Sequence, residues 1–195
     1  MISAAEFFGK DTITVYHGSS EEVSCPTYGQ GNPYNDYGLA FYCTELKELA
    51  CEWACPTAAD GVLNEYELDC TKLKVVNLDS EEYSVLNWLA VLVEHRPLGH
   101  RHPVTAGMQK LLVEQYAVDL SKADLVYGYR ADDSYFSFAR AFLNNTISIE
   151  SLEQALFLGG LGFQVAIKSK RAFDHIHFVG SEPVSGAVWN PPEAR

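Results

Sequence analysis

Residues 14–20, TVYHGSS, place a histidine where a strand-like segment meets a turn. Residues 12–16 (TITVY) are rich in β-branched and aromatic side chains, which predicts a strand that ends near Gly18. A histidine directly after a strand can present its ring at the end of a sheet, and Gly18 lets a ligand approach the backbone closely. His17 is therefore a candidate ligand contact, although these residues taken alone also fit an ordinary turn histidine.

A second strand-like segment, GLAFYCT (residues 38–44), follows a loop rich in Gly, Pro and Asn. On a strand, alternation places the side chains of Tyr42 and Thr44 on the same face. The Tyr42 ring can stack on an aromatic ligand. The Thr44 hydroxyl can form a local hydrogen bond or cap the helix predicted to follow. Without further context, Tyr42 fits a core aromatic residue equally well.

The remaining pattern predicts strands early and late in the chain, with helices between them. Strands are predicted over 64–70, 72–78, 162–169 and 175–181, and a strand followed by a turn over 123–133. Helices are predicted over 46–54, 79–94, 106–118, 134–143 and 149–158, and an irregular tail follows the last strand. This order favours an α+β fold over the alternation of a doubly wound sheet. A length of 195 residues fits one domain over 1–195.

Composition and charge exclude several classes of protein. Hydrophobic residues make up 47% of the chain and charged residues 21%, which is typical of a globular domain. The net charge of −12 disfavours stable binding to nucleic acid, unless a local basic patch at Lys168, Lys170 and Arg171 serves. There is no membrane-length apolar run and no signal-peptide pattern, so we predict a cytoplasmic protein without a membrane partner. The five cysteines match neither a disulfide framework nor a metal site.

Two polar positions in the second half of the chain are further candidates. Asp132 and Asp133 end a strand-like segment, where neighbouring side chains point in opposite directions, so they do not form an acid–base pair. Asp133 also fits the N-cap of the following helix. Gln164 opens an apolar strand, where its amide can hold a ligand hydroxyl or simply face solvent. Glutamine cannot accept a proton as a general base.

Six short strings occur along the chain in a definite order. They are Tyr16-His17-Gly18-Ser19, DYGLAFYCT (36–44), NEYEL (64–68), Trp88-Leu89, GYRADD (128–133) and Gln164-Val165. Over about residues 13–180, this order resembles an ADP-ribosyltransferase-like family of bacterial domains of unknown function. Domains of that family are often encoded in toxin–antitoxin modules.

The resemblance implies a split two-sheet α+β fold with an NAD cleft between the sheets and intervening helices. It implies that His17 bonds the adenosine-side ribose or nearby hydroxyls and that the backbone of Gly18 bonds the nicotinamide amide, with Ser19 as a further NAD-binding residue. Tyr42 would stack on the nicotinamide ring, and Thr44 would line the same pocket. NAD would be a substrate, and no metal is implied.

The chain departs from the family pattern at one position. Transferases of the His-Tyr-Glu type carry a glutamate on a late strand, where this chain has Gln164. A neutral amide can hold the 2′-hydroxyl of the nicotinamide ribose but cannot deprotonate a nucleophile, so Asp133 is the candidate base. We expect a toxin-like enzyme that transfers ADP-ribose to a protein or RNA target and has an antitoxin partner. The alternatives are an NAD glycohydrolase and an inactive NAD- or protein-binding module.

Overall fold

A computed structural model describes residues 1–96, 103–131, 133–158 and 162–191. Within these residues the chain forms eight strands and eight helices. The strands are β1 (Ile2–Ser3), β2 (Thr12–Ser19), β3 (Phe41–Cys43), β4 (Gly61–Asp69), β5 (Lys74–Asn77), β6 (Leu125–Tyr129), β7 (Phe163–Ile167) and β8 (Ile176–Val184). The helices are α1 (Ala4–Phe8), α2 (Lys47–Ala54), α3 (Val85–His95), α4 (Pro103–Tyr116), α5 (Asp133–Leu143), α6 (Ile149–Leu158), α7 (Lys170–Phe173) and α8 (Gly186–Trp189).

The strands form two sheets. Sheet A has the strand order β1-β5-β6-β7-β3, and sheet B has the order β2-β4-β8. All strand pairs are antiparallel except β5 and β6, which run parallel. Among the described residues, one isolated bridge between Tyr16 and Thr44 joins the edges of the two sheets. The predicted α+β class is therefore confirmed by the mostly antiparallel sheets, although helices and strands are interspersed along the chain.

Apolar side chains on each face of the sheets explain how the layers stack. Val15 of sheet B and Ile167 of sheet A belong to one buried cluster between the sheets. Helices α3, α4, α5 and α6 cover the other face of sheet A, where Trp88 is fully buried. Helix α2 covers the outer face of sheet B through residues such as Ala50. In the described part of the chain, no helix has the length and apolar character needed to cross a bilayer.

The predicted start of α3 is wrong. The sequence predicts that Asp79 or Ser80 caps this helix, whereas α3 begins at Val85. The backbone N–H of Tyr83 donates to the carbonyl of Ser80, which closes a turn before the helix. Ser84 then precedes the helix, and its N–H donates to the Asn87 side chain at 2.8 Å. Because a serine with a side-chain acceptor three residues later satisfies the first free donors, the helix starts here.

The tail is not irregular throughout, as the sequence pattern predicts. Residues Gly186–Trp189 form α8, whose first N–H donates to the Asp60 side chain at 2.9 Å. The short elements β1, α1 and α7 are also absent from the prediction. Each has five residues or fewer, which is too short to show a period in an apolar pattern.

Two of the three cations in the predicted basic patch already have protein partners. The ammonium of Lys168 donates to the carbonyl of Tyr37, and burial lowers the pKa of this amine. The guanidinium of Arg171 pairs with the buried carboxylate of Asp124. These contacts tie Lys168 and Arg171 into the fold.

Candidate functional site

The two sheets part immediately after the bridge between Tyr16 and Thr44. The two residues exchange backbone hydrogen bonds of 2.7 and 2.9 Å. Beyond this pair, β2 continues along β4 and β3 continues along β7. Backbone groups alternate in direction along a strand, so the N–H and C=O of Gly18 point to the same side as those of Tyr16. The backbone of Gly18 therefore faces the gap between β2 and β3.

Gly18 also allows α2 to pack directly against β2. A Cβ atom added at Gly18 would lie 1.9 Å from the carbonyl oxygen of Ala50 and 2.5 Å from the nitrogen of Ala54. Both atoms belong to the backbone of α2, so neither can move without moving the helix. The glycine predicted to approach a ligand is thus also required where helix and strand approach each other.

Replacing Gly18 with alanine is expected to lower the free energy of unfolding by about 1–3 kcal/mol, because the added methyl group overpacks this contact. Urea unfolding followed by circular dichroism measures the difference. Gly180→Ala is the matched control, since Gly180 also lies in a strand of sheet B and its added Cβ would meet nothing within 4 Å. Equal losses in the two variants would contradict the close packing of α2 on Gly18.

His17 is held at the point where the sheets part. Its Nδ1 atom lies 2.7 Å from the carbonyl oxygen of Tyr42, and its ring centroid lies 4.4 Å from that of Phe41. Burial lowers the pKa of His17, and the bond to the Tyr42 carbonyl opposes this effect. A carbonyl only accepts, so the neutral ring carries its hydrogen on Nδ1 and leaves Nε2 as an acceptor.

A cleft of about 640 Å³ opens beside this junction. The residues on its wall that carry the chemistry are Asp36, Tyr42, Trp53, Arg96, Arg130 and Gln164. The structure thus brings together Tyr42 and Gln164, which lie on the paired strands β3 and β7. The volume of the cleft lies within the usual range of small-molecule sites, roughly 300–1,000 Å³.

Other predicted site residues lie beside the cleft and do not line it. Thr44 is fully buried, and its hydroxyl donates to the carbonyl of Phe163 at 2.9 Å. The Ser19 hydroxyl donates to the carbonyl of Glu21 at 2.6 Å. Asp133 is the first residue of α5, and its side chain lies outside the described part of the structure, as does the whole of residue 132. Of the predicted residues, Tyr42 and Gln164 lie on the wall of the cleft, whereas His17 and Gly18 lie at the gap between β2 and β3 and do not line the cleft.

The Tyr42 ring is fixed by a turn of three residues, Asp36, Tyr37 and Gly38, which we call the DYG turn. The hydroxyl of Tyr42 donates to the carbonyl of Gly38 at 2.6 Å and accepts from the N–H of Tyr37 at 3.0 Å. Burial raises the pKa of the Tyr42 phenol well above its usual value. The side chain therefore remains neutral and offers an aromatic surface, and it does not act as a base.

The DYG turn also places a buried carboxylate next to Gln164. The Oδ2 atom of Asp36 accepts from the Gln164 side-chain amide and from the N–H of Ala131, both at 2.8 Å. Its Oδ1 atom pairs with Arg96 at 2.9 Å. The prediction of site residues missed Asp36 and Arg96. The local signal was an aspartate at the start of DYGLAFYCT, but nothing in that string indicates its distant partners.

Trp53 and Arg130 form a second part of the wall that was also missed. The Arg130 guanidinium carbon lies 5.7 Å from the centre of the Trp53 ring, within range of a cation–π contact. The indole Nε1 of Trp53 is buried and has no hydrogen-bond partner among the described residues. Trp53 belongs to the helical spacing of apolar residues in the segment 46–54, which is typical of a core residue. The sequence pattern therefore gives no sign that Trp53 lies at the cleft. A buried donor without a partner is costly.

The chain thus has an α+β fold with two sheets and an aromatic and charged cleft beside the point where the sheets part. The chain belongs to the family described as Protein of unknown function (DUF3990), whose model matches residues 13–178. That range includes every predicted site residue from His17 to Gln164. No curated protein and no solved structure matches the chain.

Proposed function

We propose that the protein is an ADP-ribosyltransferase that binds NAD in the cleft and transfers ADP-ribose to a macromolecular acceptor. The observation that carries this proposal is the placement of Tyr42 and Gln164 on one wall, beside the gap that His17 and Gly18 flank. This arrangement agrees with the motif order along the chain. The cytoplasmic location and the antitoxin partner expected from the sequence belong to the same proposal.

The groups on the wall suit the parts of NAD. Tyr42 offers an aromatic ring to the nicotinamide, and the backbone of Gly18 offers a donor and an acceptor to its amide. The neutral His17 ring offers Nε2 to a ribose hydroxyl. Arg130 brings a positive charge to the diphosphate, and its contact with the Trp53 ring lies in the same cleft.

The proposed reaction breaks the glycosidic bond of NAD. The electron pair of the C1′–N1 bond leaves with nicotinamide, and positive charge develops on the ribose. The acceptor's nucleophilic atom then bonds to C1′ and gives up its proton. Gln164 holds the ribose but cannot take that proton, so Asp133 is our candidate base. The protein contributes by orienting NAD and stabilising the developing charge.

Labelled NAD separates this activity from its alternatives. We expect purified protein, incubated with a bacterial lysate and NAD labelled on its adenylate phosphate, to transfer the label to a macromolecule and release an equal amount of nicotinamide. Digestion of the product with protease or nuclease then identifies its class. Label recovered only as free ADP-ribose would indicate an NAD glycohydrolase instead. The absence of both label transfer and nicotinamide release would contradict both enzyme activities and favour a binding module.

A further inference from the structure

Asp36 is a buried acidic group on the wall of the cleft that the proposed reaction does not yet use. It is 6% exposed and lies in the DYG turn, far in sequence from the strands it contacts. Its carboxylate accepts hydrogen bonds from Gln164, Ala131 and Arg96. A buried carboxylate with a guanidinium and two further donors is held in one orientation.

The contact with Asp36 determines which way the Gln164 amide faces. The Nε2 atom of Gln164 donates to Asp36 Oδ2 at 2.8 Å and to the carbonyl of Tyr129 at 3.3 Å. Both partners are acceptors, so both hydrogens of the amide nitrogen point away from the ligand. Turning the amide over would place its oxygen against a carboxylate, which is repulsive. The oxygen Oε1 is therefore the atom of Gln164 that remains for a ligand.

We infer that Asp36 is a positioning residue that makes Gln164 a hydrogen-bond acceptor for the ribose 2′-hydroxyl of NAD. This inference rests on the proposed function. In the resembling enzymes the late-strand glutamate itself carries the negative charge. In this chain the charge is on Asp36, which is hydrogen-bonded to the residue at that position, Gln164. It acts through the amide, because the bond to Asp36 polarises Gln164 and makes Oε1 a stronger acceptor.

A consequence is that a glutamate at position 164 should impair this site. Gln164→Glu places two carboxylates where an amide and a carboxylate now lie 2.8 Å apart. Two carboxylates at that distance share one proton, and the like charge raises the pKa of the pair. Below that pKa the shared proton replaces the lost amide hydrogen, and above it the two charges repel.

The experiment compares nicotinamide release by the parent protein and Gln164→Glu between about pH 5 and about pH 8. We expect the variant-to-parent ratio to be roughly tenfold lower or more at the alkaline end, and to rise towards the acid end as the pair gains its proton. The double variant Asp36→Asn/Gln164→Glu should lose this pH dependence, because an amide again faces a carboxylate. Its rate should stay below that of the parent, since the amide nitrogen introduced at position 36 cannot accept from Ala131. Gln154→Glu makes the same change on the exposed surface of α6 and controls for added charge.

Other charged and titratable groups surround the pair and are common to parent and variant. They are Arg96 at the end of α3, Arg130 after β6, Glu52 of α2, His17 of β2, and the hydroxyls of Tyr37 and Tyr42. The phenols of Tyr37 and Tyr42 have pKa values raised by burial and stay neutral. Because the surrounding groups are the same in both proteins, the ratio of rates isolates the new carboxylate.

A second measurement does not depend on NAD. The pair of carboxylates in Gln164→Glu binds a proton more tightly in the folded than in the unfolded state, so its stability contribution is lost as pH rises. The Tm deficit of Gln164→Glu should therefore grow from acid to alkaline pH. A variant as active as the parent at about pH 8, or a Tm deficit that is independent of pH, would overturn the role of Asp36. A parent protein that releases no nicotinamide would overturn the proposed function, and this role with it.

Discussion

Replacing Arg96 with methionine is expected to lower the free energy of unfolding by about 3–5 kcal/mol, because it leaves a buried carboxylate without its cation. Arg96 Nη1 lies 2.9 Å from Asp36 Oδ1 and 2.6 Å from the carbonyl oxygen of Ala131. Methionine preserves much of the aliphatic contact but removes both hydrogen bonds. The DYG turn would therefore lose its salt bridge to Arg96, directly after α3. Urea unfolding followed by circular dichroism measures the loss.

Lys47→Met is the matched control for Arg96→Met. Lys47 pairs with Glu182 at 2.7 Å, but these side chains are 46% and 53% exposed, and exposed pairs contribute about 0–1 kcal/mol. The double variant Arg96→Met/Asp36→Asn should recover part of the loss, since asparagine carries no charge to desolvate. Similar losses in Arg96→Met and Lys47→Met would show that the Asp36 charge is not buried as described.

The second large effect concerns activity. Replacing His17 with alanine is expected to reduce nicotinamide release roughly 10²–10³-fold, the cost typical of removing one preorganised polar contact. The loss removes the Nε2 acceptor and also the bond from Nδ1 to the Tyr42 carbonyl. His177→Ala is the matched control, because His177 is exposed on β8 of the same sheet. A folded His17→Ala protein that retains the parental rate would contradict the site.

The parts of the fold with a strong local period could be predicted from the sequence. Segment 12–16 and β2 agree because β-branched residues dominate there, and the helix predicted over 46–54 matches Lys47–Ala54. The predicted start of α3 was wrong because Asp79, Ser80 and Ser84 are all residue types that can cap a helix. Side-chain contacts with later residues selected the last of them.

The candidate site was only partly predictable, because its contacts join residues far apart in the chain. Tyr42 and Gln164 follow from the motif order. The partners of Asp36 lie 60, 95 and 128 positions away, at Arg96, Ala131 and Gln164. No local pattern encodes such pairs. A sequence pattern also could not show that Gly18 serves helix packing, since that depends on where α2 crosses β2.

Calorimetric titration of the purified protein with NAD tests most directly whether the cleft is an NAD site. We expect saturable binding of one NAD per chain, and a clear loss of affinity in His17→Ala but not in His177→Ala. An absence of binding heat for the folded parent protein at millimolar NAD, at two temperatures to guard against an enthalpy near zero, would contradict the proposed function.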